Sequence, residues 1–307
     1  MFDVVFWPVA TDFKYEDVRN YPDGYIDVCL FNGAIRNSEN EEMAHLLRQK
    51  SKVLVAFGSC AYEGCIPALS NLTSKSATYN TVYLDNESLD NAEGTLPQTL
   101  TEVPEGDLEL PRFYHTVRSL DQVVPVDYTV PGCPPEPEQI WAVLEAVVAA
   151  LTEGAELPPA GSIVGAGTVA VCDECALAKH EKTIDGFVRP YQKIPEPGLC
   201  LLEQGIMCVG PATRSGCGAL CPQVGVGCRG CYGPIEGVGD QGARMLTAVA
   251  SVIDVGQPGD DEAALERQLE EVMDTIVDPA GTFYRFSMAH STLHRAKVDD
   301  NGQGEAP

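Results

Sequence analysis

Apolar runs alternate with helical periodicity through the first half of the chain. Four runs have the length of a strand: Phe2–Val9, Tyr25–Phe31, Lys52–Phe57 and Val124–Val130. Two segments between and after them have a helical pattern. Residues 38–50 carry acidic residues at their start and basic residues at their end, and residues 135–151 repeat apolar positions at helical spacing. Strands that are apolar almost throughout and alternate with helices predict an α/β fold with a parallel sheet covered on both faces.

The pattern changes after a linker rich in glycine and proline at residues 151–162. Residues 163–239 show little periodicity and hold eight of the twelve cysteines, whereas residues 240–253 and 262–277 are predicted to be helices. The polar segment 71–120 is predicted to be a surface excursion. We therefore predict a first domain at 1–151, a cysteine-rich domain at 163–277 and a tail at 278–307.

The charge balance excludes two classes of partner. Twenty Lys and Arg face forty-five Asp and Glu, which gives a net charge of −25. Nucleic acids and anionic membranes both require clustered basic side chains. No apolar run is long enough to span a membrane, and the first residues lack the pattern of a signal peptide, so we expect a cytoplasmic location. High solubility in a salt-rich cytoplasm and a basic protein partner are both consistent with the acidic charge.

The cysteines of the second half predict metal binding, because thiols inside a cell are kept reduced. Structural zinc sites usually pair two C-x2-C motifs across a short gap. Here the two such pairs lie far apart with four single cysteines between them, a spacing that favours two iron–sulfur clusters, with a zinc-stabilised scaffold as the alternative. The glycines between them allow backbone N–H groups to approach the sulfur atoms. The eight residues are Cys172, Cys175, Cys200, Cys208, Cys217, Cys221, Cys228 and Cys231.

Two cysteines of the first half follow predicted strands. Cys60 comes after Lys52–Phe57, and Cys133 comes after Val124–Val130. Open parallel sheets bind ligands outside the carboxyl ends of their strands. The flanking glycine and proline residues make tight loops, which favours a ligand role over that of small buried residues.

These loops, "GSCAYEGCIPALSN" and "VPGCPPEPEQI", resemble those of the small, electron-transferring subunit of nickel–iron hydrogenases. The resemblance extends from about Phe2 to Pro279. The stretches "CLLEQGIMCVGPATRSGCGALCP" and "GTFYRFSM" are most similar to the cytosolic methyl-viologen-reducing type of methanogens, which does not reduce deazaflavin. The resemblance implies a flavodoxin-like domain followed by an irregular iron–sulfur domain. It also implies electron transfer from a nickel–iron centre on a partner large subunit to an iron–sulfur delta-type subunit and a heterodisulfide reductase, with no catalytic residue on this chain.

The resemblance also implies three 4Fe-4S ligand sets. The proximal set includes Cys60 and Cys133. The medial set is Cys217, Cys221, Cys228 and Cys231, and the distal set is Cys172, Cys175, Cys200 and Cys208.

The upstream C-x2-C pair that completes the proximal set in this family is absent from the sequence. We expect either an upstream βα unit that precedes Met1, or a rebuilt site that uses Cys65, with or without Glu63 or Cys29. Glu63 is otherwise expected to be a solvated loop acid or part of a proton path, and Cys29 a buried free thiol. A stand-alone ferredoxin-like electron carrier and a small subunit of a deazaflavin-reducing hydrogenase are the alternative functions.

Overall fold

The computed structural model describes residues 2–180, 183–254 and 262–293. The strands of this part of the chain are β1 (Ile26–Phe31), β2 (Ile35–Asn37), β3 (Ser51–Phe57), β4 (Leu100–Val103), β5 (Gly106–Glu109), β6 (Phe113–Arg118), β7 (Tyr128–Val130) and β8 (Ser162–Ile163). Its α-helices are α1 (Tyr15–Asn20), α2 (Ser38–Lys50), α3 (Ser59–Glu63), α4 (Lys75–Tyr83), α5 (Pro137–Glu153), α6 (Val171–Glu174), α7 (Leu220–Gln223), α8 (Gln241–Val252), α9 (Glu262–Asp274) and α10 (Pro279–Phe283).

The central sheet has the order β1-β3-β7-β8, and each neighbouring pair is parallel. Parallel strands need crossover connections, and here α2 joins β1 to β3 while α5 joins β7 to β8. The predicted α/β class with a parallel sheet is confirmed. The polar segment 71–120 holds α4, the β4–β5 hairpin and β6, which pairs with β2 in a second small sheet.

The first predicted strand is wrong. Residues 2–9 form no strand, and the side chains of Phe2, Trp7 and Val9 are exposed. The composition suits a strand, but a strand also needs an edge to pair with, and residues 2–9 pair with no strand in the described part of the chain. The fourth predicted strand is real but short, since β7 covers only its last three residues.

Helix α2 illustrates how local sequence sets an element's ends. The side chain of Asn37 accepts a hydrogen bond from the backbone N–H of Asn40 and so caps the helix, which begins at Ser38. Glu39 and Glu41 lie in the first turn, where the helix dipole favours negative charge. Its buried residues pack beneath the sheet in the smaller of two apolar clusters.

The larger apolar cluster joins the two halves of the chain. It contains Ala68 and Val117 from the first half together with many residues of the cysteine-rich half. Residues 278–293, which belong to the predicted tail, contribute Phe283 and Met288 to this cluster. The remainder of that tail, residues 294–307, lies outside the described residues. No helix in the described part of the chain is long and apolar enough to cross a membrane.

Candidate functional site

The sheet register places Cys60 and Cys133 at equivalent positions beyond the ends of two neighbouring parallel strands. Phe57 of β3 is paired with Val130 of β7, and each cysteine follows its strand's last paired residue by three positions. The two loops are hydrogen-bonded to each other, because the backbone N–H of Ser59 donates to the carbonyl of Gly132 at 2.8 Å. Both thiols therefore lie at the carboxyl edge of the sheet, where the sequence predicted them.

Cys65 joins this pair. Its Sγ lies 4.0 Å from Sγ of Cys133, and its thiol also hydrogen-bonds to Cys60. Cys65 has a left-handed backbone with φ of 51°, which is costly for a residue other than glycine. Its backbone N–H donates to the carbonyl of Phe286 at 3.2 Å, so the C-terminal segment helps to hold this conformation. We refer to Cys60, Cys65 and Cys133 as the proximal set.

Two thiols of the proximal set, Cys60 and Cys65, have pKa values shifted in opposite directions. The hydrogen bond from Cys65 lowers the pKa of Cys60 to about 7, against an opposing effect of burial. The same bond, together with burial, raises the pKa of Cys65. Of these two thiols, Cys60 is thus the one that more readily becomes a thiolate, the form that binds metals.

Glu63 is buried at the end of α3, so the expectation of a solvated loop acid is wrong. Its side chain is 2 % exposed, and its Oε2 atom has no hydrogen-bond partner within the described structure. Burial raises the pKa of Glu63 to about 8. Cys29 lies in β1, and burial raises the pKa of its thiol to about 11.

Four thiols of the second half line one small cavity: those of Cys172, Cys175, Cys200 and Cys208. We call them the distal set. Gly210 forms part of the wall, since a Cβ atom there would lie 3.4 Å from Sγ of Cys172 and 3.5 Å from Sγ of Cys208. Burial and the neighbouring thiols raise the pKa of Cys172 to about 12. A bound cation relieves both effects, because it stabilises the thiolates that burial and mutual repulsion disfavour.

A second group of thiols surrounds Cys231. Burial raises the pKa of Cys231 to about 12, and the charges of Cys217 and Cys221 add to that shift. Cys228 interacts with Cys231 as well, and burial also raises its pKa. Burial raises the pKa of Cys217, whereas backbone hydrogen bonding by Ala219 and Leu220 opposes that rise. We call Cys217, Cys221, Cys228 and Cys231 the medial set.

Neighbouring sets interact in series through the backbone and sulfur of their cysteines. In the proximal set, backbone hydrogen bonding by Cys133 lowers the pKa of Cys231 in the medial set, against the larger effect of burial. The N–H of Cys228 in the medial set donates to Sγ of Cys208 in the distal set, with an N···S distance of 3.2 Å. The order along this path is therefore proximal, medial, distal.

The donor chemistry of the medial and distal sets fits iron–sulfur clusters. Each offers four cysteine thiols, the usual ligand set of a 4Fe-4S cluster, and backbone N–H groups point at their sulfur atoms. All twelve cysteines are free thiols, with no disulfide between any two. The described residues contain no group of three or more His, Cys, Asp or Glu side chains placed to hold a single metal ion.

The structure adds polar residues that the sequence did not single out. Glu174, inside the first C-x2-C pair, accepts hydrogen bonds from the backbone of Gly216 at 2.9 Å and Ala219 at 3.2 Å. It thereby connects the loop that holds Cys172 and Cys175 to the loop around Cys217. An acid between the two cysteines of a C-x2-C pair is the one sequence signal that could have identified it. Lys179 lines the distal cavity and donates to the carbonyl of Cys172.

Known proteins are similar to this chain in both of its halves. The profile of the family described as NADH ubiquinone oxidoreductase, 20 Kd subunit, matches residues 2–147. The iron–sulfur subunit of the F420-non-reducing hydrogenase of Archaeoglobus profundus is 40% identical over 82% of this chain and 78% of its own length. The corresponding subunit of the F420-non-reducing hydrogenase of Methanothermobacter thermautotrophicus is 37% identical over 98% of this chain and 88% of its own.

Part of the chain is also similar to solved structures. A chain of an NAD+-reducing [NiFe]-hydrogenase crystallised in the H2-reduced state is 32% identical, with a TM-score of 0.37. The alignment covers 44% of this chain and 70% of that one.

Proposed function

Since this chain belongs to the family of iron–sulfur subunits of F420-non-reducing hydrogenases, we propose that it carries electrons from hydrogen oxidation through three 4Fe-4S sites. The observation that carries the proposal is the serial arrangement of the thiol sets. The backbone of Cys133 in the proximal set influences the pKa of Cys231 in the medial set, and the N–H of Cys228 in the medial set donates to Sγ of Cys208 in the distal set. Electron transfer by tunnelling requires redox groups close to one another, and this order supplies a continuous route.

We propose that the distal and medial sets each hold one 4Fe-4S cluster, with Cys60 and Cys133 as proximal ligands and Cys65 as a further one. Bound clusters supply reversible one-electron redox chemistry at potentials set by burial and hydrogen bonding. The chain's own residues provide the thiolates, exclude water and direct N–H groups at the sulfurs. No residue of this chain is assigned a catalytic role.

The nickel–iron centre belongs, in this proposal, to a partner large subunit next to the proximal set. Cys133 is exposed at the carboxyl edge of the sheet, so the proximal set is accessible from outside the chain. We propose that electrons leave from the distal set to a delta-type iron–sulfur subunit and on to a heterodisulfide reductase. A cytoplasmic location is part of the same proposal.

The proposal is tested on the complex purified anaerobically from its native source. Exposure to hydrogen should produce the EPR signals of reduced clusters on this chain, and a Cys231→Ala variant should lose the medial signal. A chain that purifies without a large subunit, with clusters that hydrogen does not reduce, would instead identify a stand-alone electron carrier.

A further inference from the structure

At Gly227 the backbone next to Cys228 of the medial set packs directly against the backbone next to Cys208 of the distal set. A Cβ atom on Gly227 would lie 2.0 Å from the carbonyl oxygen of Met207 and 3.3 Å from Cα of Cys208. Real Cβ atoms essentially never approach other heavy atoms within 3.0 Å. The observed packing of these two segments therefore requires glycine at position 227.

This close approach forms two hydrogen bonds between the segments, both with a backbone N–H as the donor. The N–H of Cys228 donates to Sγ of Cys208 at 3.2 Å, and the N–H of Val209 donates to the carbonyl of Cys228 at 2.9 Å. Cys208 is 8 % exposed and Cys228 is 6 % exposed. In a buried environment of low dielectric, such hydrogen bonds are electrostatically stronger than they are in water.

We infer that Gly227 is a positioning residue for electron transfer. Because Gly227 has no side chain, the N–H of Cys228 can approach the sulfur of Cys208 and form a hydrogen bond, which raises the reduction potential of the distal site. This inference rests on the proposed function. A cluster gains one negative charge on reduction, and an N–H directed at a ligand sulfur stabilises that charge. The same contact joins the medial and distal sets by one hydrogen bond.

The sulfur of Cys208 accepts hydrogen bonds from two sources. Gly210 donates from the same loop, whereas Cys228 donates from the medial segment. Only the second depends on the absence of a side chain at Gly227, because Gly210 lies two positions after Cys208 in the same loop. A substitution at Gly227 should therefore weaken the hydrogen bond from Cys228 and leave the one from Gly210 in place.

The decisive variant is Gly227→Ala, studied in the anaerobically purified complex by EPR-monitored redox titration. The two segments must separate by about 1 Å before the new Cβ atom lies 3.0 Å from the carbonyl oxygen of Met207. This separation moves the N–H of Cys228 out of hydrogen-bond range of the Cys208 sulfur. We expect the distal signal, defined as the one lost in Cys200→Ala, to move to lower potential. Iron per chain should be unchanged.

Two further glycine variants separate the loss of the hydrogen bond from other effects. Gly239 faces open space, so Gly239→Ala should leave both potentials unchanged. Gly210→Ala adds a methyl group at ordinary contact distance from two distal sulfurs while keeping the N–H of Cys228 in place. Its effect on the distal potential should be smaller than that of Gly227→Ala, and an equal effect would overturn the inference.

A measurement on the wild-type chain covers the case in which Gly227→Ala fails to fold. With 15N-labelled cysteine, pulsed EPR should detect a cysteine peptide nitrogen coupled through a hydrogen bond to the reduced distal cluster. Absence of that coupling, or an unshifted distal potential in a folded Gly227→Ala variant, would overturn the inference and leave the proposed function intact. Wild-type protein without iron and sulfide would overturn the proposed function itself.

Discussion

The Sγ atoms of Cys65 and Cys133 lie 4.0 Å apart although the two residues are 68 positions apart in the sequence. Cys133 follows a strand of the central sheet, whereas Cys65 follows a short helix and has a left-handed backbone. Cys60, five positions before Cys65, completes the group through its hydrogen bond with the Cys65 thiol. A strained residue that brings a third thiol to the carboxyl edge of the sheet is better explained by a ligand role than by packing alone.

Replacement of Cys65 by serine tests this ligand role. We expect Cys65→Ser to lower the iron content of the anaerobically purified complex and to alter the EPR signal of the proximal site, because a hydroxyl is a poor ligand for an iron–sulfur cluster. Cys29→Ser is the matched control, since Cys29 is also a free thiol but belongs to none of the three sets. Iron content and EPR spectra equal to those of the control would contradict a ligand role for Cys65.

The grouping of the other eight cysteines is tested by pairs of alanine variants. Cys172→Ala and Cys200→Ala should lose the same EPR signal, because both thiols line one cavity. Cys217→Ala and Cys231→Ala should both lose a different one, because their charges interact in the medial set. Each variant should lack about four irons per chain relative to wild type. Loss of different signals within one pair would show that the sets are wrongly grouped.

Glu174 should slow the loss of iron from the medial site. Its carboxylate fixes the loop around Cys217 through two backbone hydrogen bonds, and outer-shell partners of this kind typically change metal affinity by about 10-fold or more. Glu174→Ala should therefore release medial iron to a chelator roughly 10-fold faster than wild type. Glu196→Ala removes the same charge from an exposed position and should release iron at the wild-type rate.

The sheet edge was the most predictable part of the site. Carboxyl ends of parallel strands meet at one edge, so the positions of Cys60 and Cys133 followed from the strand pattern alone. The spacing of the eight later cysteines predicted clusters, but residues alone did not decide which thiols share a site. That grouping came from the family resemblance, and the thiols it assigned to the distal set do line one cavity.

Other features depend on tertiary contacts that no local pattern encodes. Phe2–Val9 has the composition of a strand but pairs with no strand among the described residues. A lone glutamate at the end of a short helix is usually solvated, yet Glu63 is buried next to Gly233 and interacts electrostatically with His290. The role of Gly227 depends on an approach between segments about twenty residues apart, which is visible only in three dimensions.

The ion pair between His290 and Asp121 predicts a pH-dependent stability. Their side chains lie 3.1 Å apart, and the hydroxyl of Ser119 contacts the same imidazole nitrogen at 2.8 Å. Burial lowers the pKa of His290, but Asp121 and the nearby Glu63 outweigh that effect, and the pKa is raised. Burial raises the pKa of Asp121, but His290 and Ser119 lower it overall.

Because the pKa of His290 is higher in the folded state than in the unfolded state, protonated His290 stabilises the folded state at pH values below the unfolded-state pKa. This contribution is lost as the pH rises through the folded-state pKa. The pKa of Asp121 is lowered in the folded state, so the stability that ionised Asp121 contributes is lost as the pH falls through that lowered pKa. We expect His290→Gln to cost about 1 kcal/mol of unfolding free energy near pH 6, since the pair is partly solvent-screened. The difference should shrink towards pH 9, as measured by thermal unfolding across this range. A difference that does not vary with pH would contradict the ion pair.

The most direct test of the central claim is the iron and acid-labile sulfide content of the anaerobically purified native protein. Two complete sets of four cysteines predict at least about eight irons and eight sulfides per chain, and about twelve of each if the proximal site is also loaded. The two elements should occur in nearly equal amounts. A colourless protein that contains zinc and no sulfide would contradict the assignment of iron–sulfur clusters to these thiols.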